Sequence, residues 1–212
     1  MQIEKDNVFE GEVLLFINGL PPKEFPDVSN FERIYCTDGA YSYLKRAGIK
    51  PNIVSGDFDS LKLDEVDEDV TKVYTPNQDL TDFEKAIFLI KNDGYSNIVV
   101  FGGSGMEQDH FLGNIHSLAK YKNELSIRCF DDYGVYFFCE NTTTINGFNG
   151  KILSLIPFPE ATKITSTGVK YPLEEEDLGL SKRIGTRNTI TEDVVEITFT
   201  SGNLLVFIQF KK

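Results

Sequence analysis

Six short apolar runs, separated by polar or helical segments, constrain the fold of the first 130 residues more than any other feature. Each run is rich in aliphatic or aromatic residues and ends in turn-forming residues. The runs are VLLFING (13–19), RIYCTDGA (33–40), NIVSGDF (52–58), TKVYTP (71–76), NIVVFGG (97–103) and SIRCFDD (126–132). Two of the segments between them carry apolar residues at helical spacing. These residues are Phe83, Ala86, Ile87 and Ile90, then Phe111, Leu112, Ile115, Leu118 and Ala119.

Strand–helix alternation of this kind predicts an α/β fold built on a doubly wound, mostly parallel sheet. In such sheets, ligands bind at the carboxyl ends of the strands. After Phe138 the pattern changes to short strands and glycine turns, and TTTINGFNGKILSLIPF (142–158) carries two Asn-Gly pairs. The run VVEITFTSGNLLVFIQF (194–210) predicts a hairpin turning at Ser201-Gly202. We therefore predict an α/β domain over residues 1–135 and an all-β sandwich domain over residues 136–212.

The charge balance narrows the possible partners. The formal net charge is −12 and the isoelectric point is about 4.6, which argues against nucleic acid and anionic membrane surfaces. An anionic small molecule is compatible only if a divalent cation offsets the local carboxylates. The N-terminal MQIEKDNVFE is charged where a secretory signal is apolar, and VLLFI (13–17) is too short to cross a bilayer. We expect a cytoplasmic protein with no membrane partner.

Two carboxylates stand one residue apart in SGDFDS (55–60), directly after an apolar run. In an extended segment, Asp57 and Asp59 share one side and Phe58 turns the other way. Two such carboxylates repel each other unless a proton or a hard cation lies between them. Mg²⁺ suits the arrangement, because it prefers oxygen ligands and usually binds one or two carboxylates plus substrate phosphates. A solvated, Asp-rich turn is the alternative. Asp38 follows another strand in the same way, in CTDG.

The segment TPNQDLTDFEKA (75–86) contains a helix start. Thr81 is a candidate N-cap and Glu84, three residues on, completes a capping box. Asp82 then lies in the first turn, with Lys85 on the same face. Two interpretations stay open: a surface ion pair favoured by the helix dipole, or a metal-binding Asp82 beside a phosphate-binding Lys85.

A glycine-rich turn lies between a strand and a helix in FGGSGMEQDHFLGNIHSL (101–118). Backbone N–H groups in such a turn can hold phosphate, although the segment matches neither G-x-x-x-x-G-K-[ST] nor G-x-G-x-x-G. Asp109 could cap the helix or act in catalysis. His110 and His116 have no metal-ligand spacing. These residues favour metal-assisted chemistry that uses carboxylates, one lysine and backbone amides.

Seven segments, in order along the chain, resemble the thiamin pyrophosphokinase family. They are CTDGA (36–40), GDFDS (56–60), QDLTDFEKA (78–86), DHFLGNI (109–115), TSTGVKYPL (165–173), GTRN (185–188) and GNLLVF (202–207). The resemblance implies an α/β domain followed by a β-sandwich, in a homodimer with sites formed between subunits. It also implies diphosphate transfer from ATP to the hydroxyl of thiamine, which releases AMP.

The resemblance also implies residue roles. Mg²⁺ would be held by Asp57, Asp59 and Asp82, while Asp109 would orient or deprotonate the thiamine hydroxyl. Lys85 would contact the phosphates, and the implied catalytic set consists of Lys85 and these four aspartates. The implied ATP-binding set is Asp38, Gly39, Gln78, Lys85, Gly102, Gly103 and Asn114. The implied thiamine-binding set is Ser166, Thr186 and Asn188.

Three features depart from the family pattern. Met106 and Glu107 stand where the family usually carries basic residues, which removes a phosphate donor. Arg187 stands where a small or apolar residue is common, and we hypothesise that it supplies the missing positive charge. The chain has no Trp to stack on thiamine. Two alternatives therefore stay open: a non-catalytic thiamine or nucleotide sensor, and a metal-dependent nucleotide phosphohydrolase.

Overall fold

The computed structural model describes residues 1–59 and 61–210, and these form two compact units. One unit is Glu10–Asp132, and the other combines Met1–Phe9 with Tyr133–Lys212. The first nine residues, which the sequence analysis placed in the α/β domain, lie in the second unit because strand β1 (Gln2–Glu4) pairs with strand β9 (Thr142–Asn146). None of the helices in the described residues is long and apolar enough to cross a bilayer.

Each of the six apolar runs forms a strand of the Glu10–Asp132 unit, as predicted. The strands are β2 (Val13–Phe16), β3 (Arg33–Thr37), β4 (Ile53–Gly56), β5 (Thr71–Tyr74), β6 (Asn97–Phe101) and β7 (Ser126–Phe130). They pair in parallel in the order β7-β6-β2-β3-β4-β5. The chain moves outward on one side from β2 to β5 and on the other from β6 to β7. The strand order therefore reverses between β2 and β6, and ligands of doubly wound sheets bind at such a switch point.

Among the described residues of this unit, three α-helices accompany the strands: α1 (Asp38–Arg46), α2 (Asp82–Asn92) and α3 (Gln108–Tyr121). The predicted stripe of α2, from Phe83 to Ile90, is buried. The predicted stripe of α3 is only partly correct, because Leu112 is 59% exposed while Ile115 and Leu118 are buried. Strand β2 is wholly buried, as expected for a central strand of a parallel sheet covered on both faces.

The start of α2 carries half of the predicted capping box. The Thr81 hydroxyl accepts the Glu84 N–H at 3.2 Å, as expected for an N-cap. The Glu84 carboxylate does not accept the Thr81 N–H, the second hydrogen bond of a capping box. It is buried and pairs with Lys120 of α3 instead. An ion pair between Glu84 and Lys120 thus joins α2 and α3, and the capping-box pattern did not predict it.

The second unit is all-β, and its described residues contain no α-helix. Besides β1 and β9, its strands are β8 (Gly134–Phe138), β10 (Ile152–Ser166), β11 (Leu173–Gly179), β12 (Gly185–Thr189), β13 (Val194–Thr198) and β14 (Ser201–Gln209). Their order is β1-β9-β13-β10-β14-β8, and β11 and β12 also pair with β10. The predicted hairpin at Ser201-Gly202 is wrong, because β13 and β14 both pair with β10, which lies between them. The 15 residues of β10 are long enough to hold β14 along most of their length and β13 at their end.

Candidate active site

A cavity of about 440 Å³ opens at the carboxyl ends of the parallel strands of the α/β unit. Its wall is built from the loops after β2, β4, β5 and β6, from the last residue of β3 and from the first turns of α2 and α3. The predicted site residues that line it are Asp57, Asp59, Gln78, Asp82, Lys85, Gly102, Gly103, Asp109 and Asn114. The sheet thus brings together residues that are up to 57 positions apart in the sequence, and it does so at the edge where doubly wound folds bind ligands.

Asp57 and Asp59 lie beyond the end of β4, in a tight turn. Phe58 between them has φ of 58°, in the left-handed region, so the expected extended segment is not what places them together. The Asp59 N–H donates to Asp57 Oδ1 at 3.2 Å. Ser60, which ends this motif, lies outside the described residues.

The buried Asp38 carboxylate stabilises this turn through a hydrogen bond to its backbone. It is 4% exposed, begins α1, and accepts the Gly39 N–H at 2.8 Å and the Phe58 N–H at 2.9 Å. Burial raises the pKa of the Asp38 carboxyl above its ordinary value, and these two N–H donors oppose the shift. A Cβ at Gly56 would lie 2.3 Å from the same carboxyl group, so only glycine fits there. Asp38 and Gly39 support the cavity without lining it.

Three carboxylates form a cluster that suits a hard cation. One oxygen from each of Asp38, Asp57 and Asp59 lies within 4.8 Å of the other two. Carboxylate oxygens at this spacing are the donor set that Mg²⁺ or Ca²⁺ prefers. Asp82, the third metal ligand implied by the resemblance, is close enough to Asp38 for its charge to raise the pKa of that carboxyl. The residues present therefore fit a divalent cation.

Protein donors already contact two of the cavity's carboxylates. Gln78 Nε2 donates to Asp57 Oδ2 at 2.9 Å, and this bond is the main cause of the lowered pKa of Asp57. Lys85 Nζ lies 2.6 Å from Asp82 Oδ1 and donates to the Thr75 carbonyl at 3.1 Å. The Lys85 side chain is only 7% exposed, whereas that of Asp82 is 48% exposed. The ion pair considered as one of two interpretations is thus formed, but its ammonium group is buried in the cavity wall and not at the surface.

The glycine-rich loop after β6 is packed tightly against the loop after β2. Gly102 has φ of 82°, and a Cβ there would lie 2.2 Å from the Ile17 carbonyl oxygen. Asn114 of α3 donates to the Gly103 carbonyl at 3.0 Å and so holds the loop against the helix. These contacts fix the path of the backbone beside the switch point of the sheet.

The start of α3 is acidic. Its N-cap residue is Glu107, which makes no side-chain capping bond, and Asp109 lies in the first turn. The capping role considered for Asp109 therefore does not occur. Glu107 Oε2 lies 3.6 Å from His110 Nε2, and both side chains line the cavity. Met106, also in the lining, is 57% exposed.

The three predicted thiamine-binding residues lie in the all-β unit, and two of them bond to its own backbone. Ser166 is 1% exposed and its hydroxyl accepts the Leu173 N–H at 3.0 Å. The Asn188 side chain accepts the Tyr171 N–H at 3.1 Å and donates to the Tyr171 carbonyl at 2.7 Å. Thr186, in β12, is exposed.

Asn18 and Thr37 are among the cavity residues that the sequence did not predict. Asn18 follows β2, and its side chain lies so close to Gly39 that a Cβ there would be 2.5 Å from it. Thr37 ends β3 and also lines the cavity. Both are polar residues that directly follow or end an apolar strand, the same signal that identified Asp38 and Asp57. A polar residue at the end of an apolar strand is therefore a signal for a cavity residue even when it carries no charge.

Comparisons with known proteins agree with the order of these segments. Residues 28–129 match the family model of the thiamin pyrophosphokinase catalytic domain, and residues 142–204 match that of its vitamin B1 binding domain. Thiamine pyrophosphokinase 3 of Oryza sativa subsp. japonica is 31% identical over 181 residues, which cover 76% of this chain and 67% of the relative. Thiamine pyrophosphokinase of Bacillus subtilis is 29% identical over 203 residues, covering 90% and 95% of the two chains.

Solved structures share the architecture as well. The crystal structure of the Bacillus subtilis enzyme superposes with a TM-score of 0.81 at 27% identity, covering 94% of this chain and all of the other. Thiamin pyrophosphokinase from Candida albicans shares the fold, with a TM-score of 0.80 at 18% identity over 99% of this chain and 92% of the other. The chain therefore belongs to the thiamin pyrophosphokinase family.

Proposed function

We propose that this chain transfers diphosphate from ATP to the hydroxyl of thiamine, giving thiamine diphosphate and AMP. Family membership supports this function. The observation that carries it to this chain is the cluster of Asp38, Asp57 and Asp59 beside the cavity that the glycine-rich loop also lines. A polyphosphate carries dense negative charge, and a site with so many carboxylates would repel it without a bridging cation.

We infer that Mg²⁺ is this cation and that Asp57, Asp59 and Asp82 hold it, with Asp38 behind them. Bound there, the ion would neutralise phosphate charge and polarise the phosphoryl oxygens. Calcium would fit the same oxygen donors, so the preference for magnesium is part of the proposal.

Lys85 and Gln78 are the proposed side-chain contacts to the phosphates. A lysine ammonium group has three donors, and Lys85 uses two of them on Asp82 and the Thr75 carbonyl. One donor therefore remains for a phosphoryl oxygen, so Lys85 can bind ATP without leaving Asp82. Gly39, Gly102, Gly103 and Asn114 complete the proposed nucleotide site by shaping the backbone around it.

Asp109 is the proposed partner of the thiamine hydroxyl. Its position in the first turn of α3, on the wall of the cavity, suits a carboxylate that accepts the proton of an alcohol. An alcohol is a weak nucleophile, so alignment with the β-phosphorus and removal of its proton both contribute to the rate.

Thiamine is proposed to bind through Ser166, Thr186 and Asn188 of the all-β unit, in a cytoplasmic homodimer with sites formed between subunits. Arg187, beside these residues, is proposed to reach the phosphates of ATP. The bonds of Ser166 and Asn188 to their own backbone mean that both would act partly by holding the loop around Tyr171.

A thiamine or nucleotide sensor is the second candidate function, and Glu107 is the observation that favours it. This carboxylate lines the cavity where the family usually carries a basic residue, so it weakens the attraction for ATP. A sensor would bind its ligand without releasing AMP.

Phosphorus NMR of the purified protein with ATP and Mg²⁺, with and without thiamine, tests the proposal. We expect AMP and thiamine diphosphate only in the tube that contains thiamine. AMP in both tubes would indicate a phosphohydrolase, whereas thiamine binding without AMP in either tube would indicate a sensor. Replacement of Mg²⁺ by Ca²⁺ or by a chelator in the same assay tests the choice of metal.

A further inference from the structure

Thr37 occupies a central place in the cavity wall. It is the last residue of β3, and it directly precedes Asp38 at the start of α1. It is 1% exposed and yet belongs to the residues that line the cavity. Strand β3 lies between β2 and β4, and Thr37 pairs in register with Ser55, two residues before Asp57. The loop after β2, with Asn18, therefore lies on one side of the β3 end, and the Asp57 turn lies on the other.

The Thr37 hydroxyl has no role in the fold that the structure shows. Within residues 1–59 and 61–210 its Oγ1 has no hydrogen-bond partner, although it is buried. It is the N-cap residue of α1 but makes no capping bond. Thr81 is a useful contrast, because its hydroxyl caps α2 through the Glu84 N–H at 3.2 Å.

A buried hydroxyl without a partner destabilises a protein, because the group has lost its hydrogen bonds to water. Valine has nearly the same shape as threonine and would fill the position without that penalty. An unsatisfied polar group of this kind in a functional cavity therefore points to a ligand as the missing partner.

The surroundings of Thr37 identify the chemistry of that partner. On one side are the switch point of the sheet and the glycine-rich loop, and on the other are the carboxylates Asp57 and Asp59. A ligand that reaches from the switch point to a cation on these carboxylates passes Thr37. A hydroxyl donates one hydrogen bond, and a phosphoryl oxygen accepts one.

We propose that the Thr37 hydroxyl donates a hydrogen bond to a phosphoryl oxygen of bound ATP, which makes Thr37 a nucleotide-binding residue of this enzyme. The proposal deepens the proposed function and rests on it. The free protein then keeps an unsatisfied donor, and ATP satisfies it on binding. One substitution, Thr37→Val, should therefore stabilise the free protein and weaken its affinity for ATP.

The test compares wild type, Thr37→Val and Thr37→Ser. Valine keeps the shape and loses the hydroxyl, whereas serine keeps the hydroxyl and loses the methyl group. Each protein is melted without nucleotide, and its Kd for α,β-methylene-ATP with Mg²⁺ is measured by calorimetry. This analogue resists the reaction because the bond that would break is replaced. Steady-state assays with ATP and thiamine complete the set.

We expect Thr37→Val to raise the melting temperature by about 2–4 °C and to raise Kd and the KM for ATP about three- to tenfold. We expect its kcat and its KM for thiamine to stay within about twofold of wild type, and Thr37→Ser to keep the wild-type Kd to a similar margin.

Three results would overturn the proposal: an unchanged Kd in Thr37→Val, an equal loss of affinity in both variants, or a raised KM for thiamine in place of ATP. Measurements on the wild-type protein distinguish a failure of the Thr37 proposal from a failure of the proposed function. If wild type binds the analogue but forms no thiamine diphosphate, the function fails while the Kd comparison still tests Thr37.

Discussion

The α/β unit and the all-β unit use their polar side chains in different ways. In the α/β unit, Asp57, Asp59 and Asp82 lie at strand and helix ends and line a cavity. Gln78 and Lys85 already contact Asp57 and Asp82, but carboxylate oxygens have further lone pairs for a ligand. In the all-β unit, Ser166 and Asn188 bond to the backbone of their own unit. Substitutions should therefore affect activity and stability separately in the α/β unit, and both together in the all-β unit.

Asp59→Asn tests whether activity and stability are separable in the α/β unit, and it has the largest expected effect. Loss of one metal-binding carboxylate should lower kcat/KM about 10³-fold, because the cation that offsets the phosphate charge is lost. Asp59 is exposed and lies outside the strands, so the melting temperature without ligand should change little. Phosphorus NMR of AMP release and thermal melting measure the two quantities.

Asp64→Asn is the matched control for that variant. Asp64 is another exposed aspartate of the same unit, in a short 3-10 turn outside the cavity. It should keep wild-type activity. The melting temperature of wild type should rise when Mg²⁺ and ATP are added together, whereas that of Asp59→Asn should not. A well-folded and fully active Asp59→Asn protein would remove this residue from the metal site.

Asn188→Ala tests whether activity and stability change together in the all-β unit. The substitution removes both bonds to the Tyr171 backbone, so it should lower the free energy of unfolding by about 1–2 kcal/mol. Because the same loop is proposed to hold thiamine, the KM for thiamine should rise about tenfold as well. Thermal or urea melts and steady-state kinetics measure the two effects in one preparation.

Asn141→Ala is its control, since the Asn141 side chain makes one hydrogen bond within the described part of the chain, to the Thr200 carbonyl at 3.2 Å. We expect a smaller loss of stability there and an unchanged KM for thiamine. If Asn188→Ala lost stability but kept its KM for thiamine, Asn188 would be a structural residue alone.

Glu12→Gln examines a structural carboxylate in the α/β unit, at the amino end of its strands. Glu12 accepts the N–H groups of Ser96 and Asn97, each at 2.7 Å, and these bonds lower its pKa below the ordinary value of 4.5. A lowered pKa in the folded state gives stability that is fully present above pH 4.5 and is lost as the pH falls through the folded pKa.

We therefore expect Glu12→Gln to be less stable than wild type by about 1 kcal/mol at pH 7. The difference should shrink as the pH falls from about 5 to 3. Urea melts across this range measure it, and kcat and KM at pH 7 should not change, since Glu12 does not line the cavity. A difference that stays constant with pH would show that the carboxylate charge does not contribute.

The sequence predicted the elements of the α/β unit better than the conformation of its turns. Apolar runs of this length leave few alternatives to buried strands, so β2 to β7 were confirmed. The left-handed Phe58 was missed, because its conformation depends on Asp38, twenty residues away. In the all-β unit, a local turn signal at Ser201-Gly202 predicted a hairpin, but the long β10 took both strands as partners. Contacts distant in sequence decided both outcomes.

Arg187→Gly carries the smallest expected effect and tests the all-β unit again. Arg187 has φ of 56°, which costs a residue with a side chain about 1 kcal/mol, and glycine adopts it freely. Its N–H donates to Ser154 Oγ at 3.0 Å, a bond that glycine keeps, and its guanidinium group lies 3.5 Å from Gln209 Oε1, too far for a strong bond.

Arg187→Gly should therefore be more stable than Arg187→Ala by about 0.5–1 kcal/mol, because both lose the side chain and only glycine relieves the backbone. Paired thermal melts measure this difference. The KM for ATP separates the second role: if Arg187 reaches the phosphates, both variants should raise it by the same factor. If neither variant raises the KM for ATP, the phosphate contact is dropped, and Arg187 has only a structural place in β12.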